Sequence, residues 1–294
     1  MLEKALQRRF ITKMDASPTF VGVRFIPQAK QGVEAGANES AKQTEFSMLE
    51  SMLDKGMNVI EAASVGPIER SGTLLPYHKE DIIVCLTCDL TSLSLREEDI
   101  TSFQAVKHSI DTLLDQFPAE TIDILFFDYA AVPGHLIEKG EILRAMRAVQ
   151  DEGKVAFLGA CLDNLPSEEF ILTNTFDAIQ LEYNLINQTN ENSIKLANEK
   201  GIGVFIRNGL ANGLLAANHS SPVKDVKFQE LLDMVEGDQK QLHRLALHFL
   251  FQNKAINTVL IEIAELAEFQ QYLNVLGEEV DEWLLQRAAA VYNA

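Results

Sequence analysis

The chain predicts an α/β fold, a (β/α)8 TIM barrel with an N-terminal β-hairpin cap and C-terminal helices. Three observations predict it. Eight short apolar runs recur along 294 residues, at 21–25, 58–63, 81–88, 122–129, 155–161, 178–184, 203–208 and 256–263. The runs are continuous or nearly so, as strands covered on both faces are. Helical patterns with polar starts and glycine ends separate them, the alternation that builds a parallel sheet with crossover helices.

Taken in order, RRFITKMDASPTF at 8–20 predicts a hairpin around residues 15–18 that caps the barrel floor. VGVRF is the first strand. The stretch 40–55 predicts a helix started by Ser40 and ended by Gly56. NVIEAA gives the second strand and DIIVCLTC the third. Cys85 and Cys88 look like a CxxC pair, but residues three apart on a strand face opposite sides, against a zinc or redox role. Helices follow at 101–117 and 136–152, the latter stopped by Gly153, around the fourth strand IDILFFDY. VAFLGAC and AIQLEYN are strands five and six. Asn190 or Ser193 starts the next helix, 190–200, and Gly201 ends it before GVFIRN. The polar, irregular stretch 212–239 reads as a mobile loop. INTVLIEI is the last strand, and 266–276 and 281–292 predict amphipathic helices. No linker, low-complexity tract or repeat divides residues 1–294, which read as a single domain.

Hydrophobic residues make up 47% of the chain, ample for a buried core. A net charge of -18, from 25 basic and 43 acidic residues, argues against nucleic acid and anionic membrane surfaces as partners. No apolar run reaches membrane-spanning length. The first residues, MLEKALQRRFITKM, are too charged for a secretory signal. A cytoplasmic location is expected, and three cysteines suit a reducing compartment.

The stretch FDAIQLEYNLINQTNENSIKLANEKGIGVFIRNGLANGLL, 176–215, resembles the sixth and seventh β/α units of the aldo-keto reductases. GMNVIEAA, TIDILFFDY and ILRAMRAVQDEGKVAFLGAC resemble that family's strands two, four and five, in the right order. The resemblance covers nearly the whole chain and is weakest over 64–80. It implies hydride transfer from NADPH to a carbonyl at the C-terminal mouth of the barrel. There a tyrosine donates the proton, a lysine and an aspartate tune it, and a histidine orients the substrate.

Carried over position by position, the aspartate falls on Glu61, the tyrosine on Gly66, the lysine on Thr87 and the histidine on Asp128. Glycine has no proton to give, and threonine removes the charge that lowers a tyrosine pKa. Tyr77 and Tyr129 are the candidate substitutes; Tyr129 follows Asp128 and so faces the other side of its strand, where packing is the simpler role. For the cofactor, NADP in this family, the resemblance implies contacts from Gln180, Asn208 and Leu210. The family's polar pair after strand five is Cys161 and Leu162 here. After the last strand stand Glu262, Glu265 and Glu268, with no Lys or Arg between Lys254 and Arg287 to hold a 2′-phosphate.

Three functions follow as expectations. The first is a barrel that has lost NADPH-dependent carbonyl reduction and acts as a binding, partner or regulatory subunit, for a small molecule or a protein. The second is an oxidoreductase with compensating residues. The third is a non-redox enzyme using Glu61 and Asp128, with Glu262, as converging carboxylates. The histidines, His243 and His248 in an apolar helix among them, show no metal-ligand spacing, and no metal is expected.

Overall fold

The computed structural model describes residues 4–25, 39–62, 82–116, 121–262 and 266–293. The stretch 64–80, with Gly66 and Tyr77, lies outside the described residues, as does Glu265. Eight parallel strands form a closed barrel in chain order: β1 (Val21–Phe25), β2 (Val59–Ala62), β3 (Ile83–Cys88), β4 (Ile122–Asp128), β5 (Val155–Cys161), β6 (Ala178–Glu182), β7 (Gly203–Arg207) and β8 (Thr258–Glu262). β1 pairs with both β2 and β8, which closes the ring.

The described helices are α1 (Glu39–Asp54), α2 (Phe103–Asp115), α3 (Gly134–Ile137), α4 (Glu141–Asp151), α5 (Ser167–Leu172), α6 (Glu191–Glu199), α7 (Val226–Met234), α8 (Gln239–Gln252), α9 (Leu266–Gly277) and α10 (Glu282–Val291). Several differ from the sequence expectation for local reasons. The helix expected over 136–152 is two helices, because Gly140 takes a left-handed φ of 72° between them. The helix expected from 101 starts after Ser102, whose side chain accepts from the Ala105 amide. Ser193 lies inside α6 and starts nothing. The stretch 212–239 is not all loop: Asp225 accepts from the Phe228 amide and starts α7, whose Phe228 and Leu231 are buried. No described helix is long and apolar enough to cross a membrane.

Strand alternation sorts the core. Outward residues such as Val23, Ile60, Leu86, Phe127, Ile179 and Ile206 join the large cluster between barrel and helices. Inward residues form a second cluster of Val59, Cys85, Ile124, Phe126, Phe205 and Leu260, with Ile11 and Met14 from below. Phe126 and Phe205 meet edge to face at 5.4 Å. Gly159 makes room for them, since a Cβ there would lie 2.2 Å from the Phe126 ring. The interior is thus a packed core and not a pore.

The floor is closed by the N-terminal segment. Two isolated antiparallel bridges, Arg8 to Thr19 and Ile11 to Ala16, make the expected hairpin. Arg9 is buried between the Phe20 and Phe251 rings, 4.3 and 5.0 Å from their centroids. Its guanidinium donates to the carbonyls of Phe251, Asn253 and Ile256 at the end of α8. Of these, the Phe251 carbonyl is in the last turn of α8, where a helix leaves its carbonyls unpaired. Burial lowers the Arg9 pKa to about 10, still well above neutrality.

Candidate functional site

Above the two aromatic rings the inward positions turn polar. By alternation the last inward residues are Arg24, Glu61, Thr87, Asp128, Cys161, Glu182 above Gln180, Arg207 and Glu262. All stand at the C-terminal ends of their strands, where barrels of this kind place their sites.

One half of this ring is a closed, buried knot. Glu61 is fully buried, and its Oε1 accepts from the Thr87 hydroxyl and from Gln180 Nε2 at 2.8 Å. Gln180 Nε2 also reaches Thr87 Oγ1 at 3.3 Å, and its Oε1 accepts from the Cys161 thiol at 3.3 Å. Burial pushes that thiol far up, so it stays protonated and acts as a donor. Glu61 Oε2 has no hydrogen-bond partner and faces Arg24 Nε at 3.8 Å.

The other half is an ion cluster open to solvent. Arg207 Nη1 donates to Asp128 Oδ2 at 2.8 Å, and its Nε donates to Asp163 Oδ2. Burial alone would lower the Arg207 guanidinium, but the acidic groups around it, Asp163 and Asp128 among them, push it up. Asp163 Oδ1 accepts from the Glu182 amide at 2.5 Å, and Glu182 Oε1 accepts from Asn208 Nδ2 at 2.9 Å. Asn208 takes a left-handed φ of 56° and turns the chain as β7 ends. Its side-chain oxygen accepts from the Asn212 amide.

Over β7, β8 and β1 lies a cavity of about 710 Å³. Its walls include Arg24, Arg207, Asn208, Leu210, His243 and Tyr272. The acids Asp163, Glu182, Glu262 and Glu268 also line it. His243 is buried, and Nδ1 lies 3.0 Å from the Leu215 carbonyl, which requires the proton on that nitrogen. Burial pushes this imidazole down despite that bond, so it is neutral at pH 7.

Thus the structure brings Glu61, Thr87 and Gln180 together and sets Asp128 apart with Arg207. Asn208 and Leu210 line the cavity, whereas the Gln180 amide is spent inside the barrel. Glu61 and Asp128 both point into the mouth, and each is hydrogen-bonded to partners of its own. Among the described residues no group of three or more His, Cys, Asp or Glu is placed to hold a metal ion. Tyr129 is buried on the outer face against Phe127, Phe170 and Phe176, as packing required. Cys85 joins the inner cluster and Cys88 the outer one, on opposite faces.

Sequence reasoning missed Arg24, Arg207 and Asp163. The signal was present: Arg24 and Arg207 are charges near the end of otherwise apolar strands, VGVRF and GVFIRN.

An eight-stranded closed parallel barrel with polar groups gathered at one mouth defines a (β/α)8 barrel protein. The chain belongs to the aldo/keto reductase family, whose model matches residues 31–292. It is 23% identical over 253 residues to L-galactose dehydrogenase of Arabidopsis thaliana, an alignment covering 79% of this chain and 70% of that protein. Its fold is similar to an aldo-keto reductase from Bacillus halodurans in its apo form (TM-score 0.74, 16% identity, 97% of this chain and 96% of the other). It is also similar to an aldo-keto reductase from Klebsiella pneumoniae in complex with NADPH (TM-score 0.70, 15% identity, 97% and 95%).

Proposed function

We propose that this member of the family binds a small molecule or a partner at the barrel mouth and has set aside NADPH-dependent carbonyl reduction. The observation that carries the reading is the knot around Glu61. At the position that the family resemblance gives to a lysine, the Thr87 hydroxyl donates to Glu61. The Gln180 amide, which the resemblance gives to the nicotinamide, donates to the same oxygen. A positioned acid contributes roughly 10²–10⁴ in rate, and among the described residues no tyrosine is hydrogen-bonded to Glu61, Thr87 or Gln180 to supply it.

The described residues also fit NADPH poorly. Of the two cations lining the cavity, Arg207 is bound by two carboxylates, and Arg24 stands beside Glu61. Four acids share the walls with them. A phosphate about 4 Å from one carboxylate meets a repulsion of about 4 kcal/mol at an effective dielectric near 20. No step is therefore assigned to the dinucleotide.

A second reading, an oxidoreductase with compensating residues, is favoured by one observation. The cavity is open and lined by Asn208, Gly209 and Leu210, where the resemblance places the cofactor. Titration with NADPH and NADH separates the two readings. The single tryptophan, Trp283, is not among the cavity-lining residues, so the nicotinamide's own fluorescence is the reporter. The first reading expects no saturable signal below about 1 mM, which is about -4 kcal/mol, and no aldehyde-dependent oxidation of either nucleotide. Micromolar binding with turnover would establish the second.

A further inference from the structure

The barrel register puts charged residues at one level on three neighbouring strands. Arg24 of β1 is the register partner of Glu61 on β2 and of Glu262 on β8. Glu61 is fully buried, and the donors on its Oε1, a hydroxyl and an amide, are both neutral. Neutral donors satisfy lone pairs but leave a buried charge uncompensated. Glu61 Oε2 has no hydrogen bond and faces Arg24 Nε, likewise without one, 3.8 Å away. Among the described residues the other cation of the mouth is Arg207, which is committed to Asp128 and Asp163.

We propose that Arg24 is the positioning residue of this mouth: it supplies from the first strand the counter-charge that a lysine on the third strand would otherwise give to the buried carboxylate. Thr87 sits at the station that the family resemblance gives to that lysine, and its hydroxyl already touches Glu61. A cation can therefore reach the same carboxylate from either β1 or β3. The pairing fixes the Arg24 guanidinium at the cavity wall and keeps Glu61 turned inward, away from whatever occupies the cavity. Among the described residues the groups facing the pair are Thr87 and Gln180, the Cys85 and Cys161 thiols, and Glu262. None of them is a cation. The assignment is independent of whether a nucleotide binds, because its test reads stability alone.

The test moves the charge and follows thermal unfolding. Arg24→Ala and Arg24→Met, the second keeping most of the bulk, should each lower Tm by about 8 °C or more. Two double variants should each recover at least half of that loss. In R24A/E61Q the uncompensated charge is gone, and in R24A/T87K a cation returns from the third strand. If R24A yields no folded protein, a cooperative unfolding transition in R24A/T87K supports the assignment equally. A space-filling role for Arg24 would be rescued by methionine and not by a lysine on another strand. That pattern, or an R24A/T87K variant no more stable than R24A, overturns the assignment.

Discussion

Glu61 and Asp128 end two strands of the same mouth, yet opposite chemistry holds them. Glu61 is sealed from solvent among a hydroxyl, an amide and one distant guanidinium nitrogen. Asp128 shares the Arg207 guanidinium with Asp163, and these side chains keep 14–22% of their exposure. The difference teaches that one mouth can hold its carboxylates in two ways. The buried half keeps a carboxylate and surrounds it with small neutral donors, and the open half becomes a salt cluster that ties β4 and β7 to the loop after β5.

The contrast breaks most visibly at Glu61. Replacing it with alanine strands the donors of Thr87 and Gln180 and takes from Arg24 its buried carboxylate partner. We expect a loss of about 3–5 kcal/mol, seen as a lower urea midpoint with an unchanged slope. Arg207→Met leaves two carboxylates unpaired, but partial exposure lets water take part of the burden. A loss of about 2–3 kcal/mol is expected. Raising the salt from 0.1 to 1 M, where the Debye length falls from about 10 to about 3 Å, should narrow the gap between that variant and the parent. It should leave the Glu61 deficit nearly unchanged, and equal salt responses in calorimetry would erase the distinction drawn between the halves.

A smaller effect sharpens the open half. Asn208→Ala removes the donor to Glu182 and puts alanine at a φ of 56°. A cost of about 1–2 kcal/mol follows, and Asn208→Gly should recover part of it.

The smallest effect belongs to His243. Its folded pKa lies below the ordinary 6.5, so the neutral ring favours the folded state. That contribution is whole above pH 6.5 and is lost as pH falls below it toward the folded value. His248 shares the direction, also through burial. Denaturation midpoints between pH 7 and 5 should therefore decline, and His243→Phe should flatten part of the slope.

Much of this was legible in the residues. Strands covered on both faces show as unbroken apolar runs, so all eight were found within one or two residues of their ends. Breaks set by a single backbone angle were not, as the left-handed Gly140 shows, because a glycine inside a helical pattern has no unique meaning. The short α7 was hidden because its apolar pair, Phe228 and Leu231, is set among charges. At the mouth, Glu61, Thr87 and Gln180 were found as positions, and their mutual hydrogen bonds were not. Those depend on closing a ring of strands up to 119 residues apart. The arginines escaped because a motif reading asks which groups are lost and not which neighbours arrive in their place.

Arg9 carries a consequence for the order of assembly. Its carbonyl partners lie between 242 and 247 residues further along the chain. At a synthesis rate of about 5–20 residues per second, the nascent segment waits on the order of 12–50 s before α8 leaves the ribosome. Until then Phe20 and the guanidinium have no ring opposite them, and the growing sheet keeps a raw edge on β1. The last strand to be made is the one that fits the bottom plug, so a chain stopped short of residue 250 would keep every early strand and still be unable to shut.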